Sequence, residues 1–209
     1  MLVYFLFLVA GYAIGSVPFA YLIAHRHHGI DIRSHGSGNV GARNVFEVTS
    51  SKQTAILVLV LDMMKGLIPM IFLRTFWTDQ LVLIPFACGI VLGHCYPVWL
   101  RFRGGRGLAS AAGILLAISP ETLVVWLLMY WLTSQIKPQV HLNAMAALVV
   151  VAFLIVSIPD SALHTVNLWH LDPSVIRGVV LALFVVLFST HFKPVLEFAR
   201  GVREREQKA

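Results

Sequence analysis

The chain has 209 residues, 58% hydrophobic and 12% charged, with a mean hydropathy of +0.80, so it carries too few charges to cover a water-facing surface. That excludes a soluble globular domain, a disordered chain and a disulfide scaffold, and leaves an all-α integral membrane protein, a single membrane domain over 1–209. Sixteen basic residues against ten acidic give a net charge of +6, and their placement along the chain decides what the excess means.

Residues 2–24 hold no charged side chain, no basic stretch precedes them and no small-residue cleavage site follows. They read as a retained spanning helix and not a signal peptide. A second span is expected at 53–75, interrupted by Asp62 and Lys65, and a third at 80–99. Cys88 and Cys95 stand seven apart in that third span, about two helical turns, too far for a local disulfide. From Gly107 to Ile136 the only charge is Glu121, and 30 residues exceed one crossing. Two short helices, 107–119 and 121–136, are therefore expected to meet at Ser119-Pro120. Spans at 142–159 and 174–191 bring the total to seven.

Seven spans put the termini on opposite sides. With the N-terminus outside, the inner segments 25–52, 100–106, 135–141 and 192–209 hold 13 of the 16 basic residues, Lys137, Arg203, Arg205 and Lys208 among them. The outer turns carry Asp79, Glu121, Asp160 and Asp172. This segregation orients the chain N-terminus outside and C-terminus cytoplasmic, and accounts for the basic excess without nucleic acid. Segment 160–172 reads as an outer connecting loop, and the tail His191–Ala209 as a surface helix at the headgroups.

Two inner loops carry the candidate chemistry. The first runs from Asp31 to Asn44 and contains Gly36, Gly38 and Gly41 with Ser37, Asn39 and Asn44. Such glycines let successive amides turn inward as an anion-binding nest, to which these polar side chains add donors; the plain alternative is a flexible polar connection. The second, Arg101-Phe-Arg-Gly-Gly-Arg-Gly107, runs straight into a helix. Glycines at a helix N-terminus beside Arg101, Arg103 and Arg106 suit a phosphate, and equally a basic loop touching anionic headgroups. His94 and His191 end spans on the same face, where they are candidates for orienting a substrate or moving a proton. Asp62 and Lys65 are three apart on one helix, either a neutralised ion pair or direct ligands. No Cys/His cluster has metal-ligand spacing. Together these features suit a lipid-like substrate bearing a phosphate, handled at the cytoplasmic surface.

Several stretches resemble the bacterial acyl-phosphate:glycerol-3-phosphate acyltransferases of the PlsY type. They are Gly15-Ser-Val-Pro-Phe-Ala-Tyr21, Asp31-Ile-Arg with Gly36-Ser-Gly-Asn-Val-Gly-Ala-x-Asn44, Asp62-Met-Met-Lys-Gly66, and Gly93-His-x-x-Pro97 with Phe102-Arg-Gly-Gly-Arg-Gly107. They occur in family order across nearly the whole chain. The resemblance implies a multi-pass enzyme of the bacterial cytoplasmic (inner) membrane with its active face cytoplasmic, working in phospholipid biosynthesis without metal or cofactor. It would move a fatty acyl group from acyl phosphate to the 1-hydroxyl of glycerol 3-phosphate, giving lysophosphatidic acid, without an acyl-enzyme. Its partners would be those two substrates and membrane lipids. The implied catalytic residues are Ser37, Arg106 and His191. The implied substrate-binding residues are Gly36, Gly38, Asn39, Gly41, Arg43, Asn44, Arg103, Gly104, Gly105 and His94. The unrelated acyltransferase signature, His followed five residues on by Asp, is absent.

The chain departs from the family pattern at Arg43 (usually Thr), Glu47 (usually Arg), Arg103 and Arg106 (usually Lys), His141 (usually Ser) and Pro194 (usually Asn). Glu47 and Pro194 also motivate two other readings: an acyltransferase with a different acceptor, and a non-catalytic membrane subunit that binds lipid or a partner complex.

Overall fold

The computed structural model describes residues 1–136 and 139–206, with backbone alone at 199 and 201–206. Lys137 and Lys208, expected inner-face charges, lie outside the described residues, as do the side chains of Arg203 and Arg205. Among the described residues there is no strand. The α-helices are α1 (Leu2–Gly15), α2 (Phe19–His28), α3 (Ala42–Thr49), α4 (Lys52–Phe76), α5 (Leu83–Cys95), α6 (Leu108–Ile118), α7 (Pro120–Ile136), α8 (Val140–Ser157), α9 (Asp160–Val166) and α10 (Pro173–Glu206). Five segments are long and apolar enough to cross a membrane: Leu2–His28, Lys52–Phe76, Gln80–Leu100, Val140–Ser157 and Pro173–Phe198.

α5 is the centre of the bundle. Within Gln80–Leu100, 61% of the apolar window is buried, against 17% for Leu2–His28, and α1, α4, α6 and α10 all pack on it. Lipid tails are as apolar as leucine, so helices in a bilayer associate through close backbone packing and not through hydrophobic burial. The α1–α5 contact shows how. Gly11 and Gly15 face Gly89 and Gly93, and a Cβ at Gly15 would lie 2.0 Å from the Ile90 carbonyl oxygen, one at Gly93 2.2 Å from that of Tyr12. α4 and α6 meet in the same manner at Gly66 and Gly113.

The first apolar run is not the single helix expected over 2–24. It breaks at Ser16–Pro18, because Pro18 has no N–H and restricts the residue before it. The Val17 carbonyl, which also takes the Phe19 amide, accepts a hydrogen bond from Lys65 Nζ at 3.0 Å. Two expected loops also contain helices, α3 within 25–52 and α9 within 160–172. Between Gly107 and Ile136 the chain turns at Ser119, the C-cap of α6 and the residue before α7. α10 continues past His191 with Pro194 inside it. At the end opposite the inner loops, Asn167 donates to the Ile118 carbonyl at 3.0 Å and to Glu121 at 2.6 Å, and Arg74 donates to the Ala117 carbonyl. These bonds fix the α6–α7 turn.

Candidate functional site

The loop from Asp31 to Asn44 is a fixed structure. Ile32, Val40 and Val45 pin it to an apolar cluster with α2, α4 and Leu100. Asp31 caps the short turn Ile32–Ser34, accepting the Arg33 N–H at 3.0 Å, and its two oxygens receive Arg33 Nε at 3.0 Å and Nη2 at 2.7 Å. Asn44, 1% exposed, brackets the rest. Its Oδ1 accepts the Ser37 N–H at 2.9 Å, and its Nδ2 donates to the carbonyls of Ile32, His35 and Asn39 at 3.0–3.1 Å. Gly36 and Gly38 have φ of +58° and +70°, and a Cβ on Gly36 would strike Asn44 Oδ1. The amides of Ser37, Gly38, Val40 and Gly41 all donate within the fold. The loop therefore offers a ligand the side chains of Ser37 and Asn39 together with the first-turn amides of α3, which have no partner within the helix.

The loop Arg101–Gly107 folds back on the end of α5. The amides of Gly104 and Gly105 donate to the carbonyls of Cys95 and His94 at 3.1 and 3.0 Å. A Cβ on Gly105 would lie 2.1 Å from His94 Nε2. These glycines are required for packing, and their amides are spent on it. The loop then aims Arg106 inward, while Arg103 stays on the exposed surface. Gly107, at φ +86°, starts α6.

The elements converge on a cavity of about 350 Å³. α3 and the loop before it bring Ser37, Asn39, Gly41, Arg43, Asn44 and Glu47; α4 brings Asp62 and α5 His94. The start of α6 brings Arg106 to Ala109, α8 brings Gln139 to His141, and α10 brings His191. Of the expected site residues, Ser37, Asn39, Gly41, Arg43, Asn44, His94, Arg106 and His191 share this cavity, whereas Gly36, Gly38, Arg103, Gly104 and Gly105 do not line it.

Two guanidiniums, Arg43 and Arg106, and two carboxylates, Glu47 and Asp62, line the cavity. Arg106 has its pKa lowered, by burial first and by Arg43 second, yet a guanidinium stays charged at any working pH. Arg43 Nε donates to Glu47 Oε1 at 2.8 Å, so the unexpected carboxylate is neutralised by the unexpected guanidinium four residues earlier. In the cavity wall, Asp62 Oδ1 lies 2.9 Å from Lys65 Nζ and 3.5 Å from His94 Nδ1. All three side chains are at most 6% exposed, and Lys65 also faces the Phe19 ring at 5.7 Å.

His191 is fully buried, with Nδ1 2.9 Å from the Leu187 carbonyl oxygen. Donation there places the lone pair on Nε2, which has no hydrogen-bond partner. Thr190 Oγ1 donates to the Arg106 carbonyl at 3.2 Å, tying α10 to the loop. Beyond the expected site residues, the polar lining includes Glu47, Asp62, Gln139 and His141. A polar pair at the start of an apolar segment was the available signal for the last two. Pro194 is not among the cavity-lining residues. Among the described residues no group of three His, Cys, Asp or Glu side chains is placed to hold a metal ion, and Ser37 Oγ has no base bonded to it.

Residues 5–199 match the family model described as glycerol-3-phosphate acyltransferase. A glycerol-3-phosphate acyltransferase of Myxococcus xanthus is 33% identical over 196 residues, 93% of this chain and 95% of the relative. That of Desulforamulus reducens is 41% identical over 127 residues, 61% of this chain and 62% of the relative. Crystal structures of PlsY, an integral membrane glycerol 3-phosphate acyltransferase, in its glycerol 3-phosphate and lysophosphatidic acid forms, superpose with a TM-score of 0.77 at 28% identity. The match covers 95% of this chain and 92% of that one. The chain belongs to the glycerol-3-phosphate acyltransferase family.

Proposed function

We propose that this protein transfers a fatty acyl group from acyl phosphate to the 1-hydroxyl of glycerol 3-phosphate, releasing inorganic phosphate and giving lysophosphatidic acid. The observation that carries this reading is the meeting of Arg43, Arg106 and the unpartnered Nε2 of His191 in one cavity. Two phosphates need cations and helix N-termini, which Arg43, Arg106, α3 and α6 supply. The acceptor hydroxyl needs a hydrogen-bond acceptor, which His191 Nε2 supplies. The hydroxyl oxygen attacks the acyl carbon as its proton moves to His191 Nε2, the bond from that carbon to the phosphate oxygen breaks, and His191 passes the proton on to the departing phosphate. Ser37 and Asn39 hold the acyl phosphate, and Asn44 with Gly36 and Gly38 keeps their loop in place. Since Arg43 neutralises Glu47 and Pro194 stands away from the cavity lining, neither departure favours another acceptor or a silent subunit.

The chain sits in the bacterial cytoplasmic membrane as one domain with seven crossings, N-terminus outside, and the cavity opens to the cytoplasm. α6, with 11 residues, is about 16 Å long, roughly half the hydrocarbon core. Its start, with Arg106, therefore lies below the headgroups, where reaction with a lipid-anchored acyl chain is reached without lifting the chain into water. A narrow apolar crevice lined by Ala111, Leu115, Trp126, Leu148 and Leu183 meets the polar cavity at Leu108 and receives the chain. Arg106→Ala tests the assignment. Lysophosphatidic acid formation is expected to fall at least about 100-fold, measured by mass on protein shown to be folded; full activity would refute Arg106 as the phosphate ligand.

A further inference from the structure

We propose that His141 handles the substrate phosphate together with Arg106: when a phosphate dianion draws the guanidinium away from the imidazole, the released ring nitrogen takes up a proton and becomes a second charged donor. The proposal rests on the reading of the cavity as a phosphate site.

The geometry starts at α8. Gln139 Oε1 accepts the amides of His141 and Leu142 at 2.8 and 3.0 Å, which fixes the first turn and holds the His141 ring over the cavity. Arg106 Nη1 lies against that ring, in contact with Nε2 and 3.3 Å from Nδ1. A guanidinium has only donors, so this contact needs an imidazole lone pair. The His191 ring stands 5.4 Å away, centroid to centroid.

The surrounding charges oppose a proton on His141 until an anion arrives. Arg106 faces it from the second loop and Arg43 from α3, both guanidiniums. The carboxylates in reach are committed: Glu47 to Arg43, Asp62 on α4 to Lys65 and His94, and Glu197 on α10 to Lys193 at 3.8 Å. On α7, Glu121 is bonded to Ser119 and Asn167, and Tyr130 packs on Trp126. A dianion among these groups reverses the sign of the local field. Proton uptake and anion binding then strengthen each other equally, as linkage requires.

Inorganic sulfate is the probe, because it is a dianion that does not titrate near neutral pH. Its binding to the purified protein in lipid bilayer is measured by calorimetry at pH 7 in buffers of different ionisation enthalpy. The wild type is expected to take up about one proton per sulfate, and His141→Asn, which keeps a polar contact without titrating, to take up close to none. Zero uptake by the wild type overturns the proposal, as does unchanged uptake in His141→Asn with loss in His191→Asn. If His141→Asn does not fold, histidine ring-carbon shifts of the wild type, assigned with His141→Ser, report protonation directly; an unmoved His141 signal on adding sulfate also overturns it. Lysophosphatidic acid synthesis alongside proton-neutral sulfate binding refutes this proposal alone, whereas failure to bind sulfate or glycerol 3-phosphate refutes the phosphate-site reading as well.

Discussion

Asp31 and Arg33 show how single side chains shape the site without lining it. Arg33 donates to both carboxylate oxygens, which holds the Asp31 carboxyl down to about 2. A depressed folded pKa stabilises above the ordinary carboxylate value, and the contribution is lost as the pH falls from about 4 towards 2. The pair is partly exposed, so its worth is at most about 1 kcal/mol. Asp31→Asn is expected to melt a few degrees below the wild type at pH 6, with the gap closing as the pH is lowered towards 2; a gap independent of pH would contradict the ion-pair account. At this scale the motif was legible, since its polar residues are close in sequence and the glycines mark the two positive φ angles. What the motif concealed was the destination of its amides. A nest requires inward-facing N–H groups left free, whereas Ser37 donates to Asn44 Oδ1, Gly38 to the His35 carbonyl, Val40 to that of Gly104 and Gly41 to that of Asn39.

Between elements, charges and glycines do what apolar contact cannot do in a bilayer. Lys65 on α4 joins three others at once, reaching the Val17 carbonyl at the α1–α2 break, Asp62 on its own helix and, through Asp62, His94 at the end of α5. Lys65→Met removes the partner of a buried carboxylate and is expected to destabilise by about 3–5 kcal/mol, while Asp62→Asn with Lys65→Met recovers most of the loss. Equal destabilisation of single and double variants, read by thermal unfolding in detergent, would contradict the ion-pair role. The long apolar runs were plain in the sequence because hydropathy alone sets them. The break at Pro18 was hidden inside an uncharged run, and α3 and α9, with eight and seven residues, are shorter than the stretch over which helical periodicity is read. The repeated Gly-x-x-x-Gly spacing at 11 and 15 and at 89 and 93 was a readable sign of the α1–α5 contact.

For the whole molecule, orientation and convergence matter together. His141 and His191 are 50 residues apart in sequence and meet only because α8 and α10 pack side by side, so no local pattern discloses the pair. The inner loops and the cavity face one side, and the Asn167–Glu121 and Arg177–Asp160 contacts face the other. With Cys88 and Cys95 replaced by alanine, Ser34→Cys is expected to react with a membrane-impermeant maleimide only from the cytoplasmic side, and Ser161→Cys only from outside. Labelling from the same side would refute the proposed topology.

The central claim is that this cavity joins an acyl phosphate to glycerol 3-phosphate. Its most direct test supplies purified protein in lipid bilayer with palmitoyl phosphate and follows phosphate release with and without glycerol 3-phosphate, with the product weighed by mass spectrometry. The account predicts release that depends on the acceptor, one phosphate for each lysophosphatidic acid formed. Release indifferent to glycerol 3-phosphate, or none from folded protein that binds palmitoyl phosphate, would contradict it.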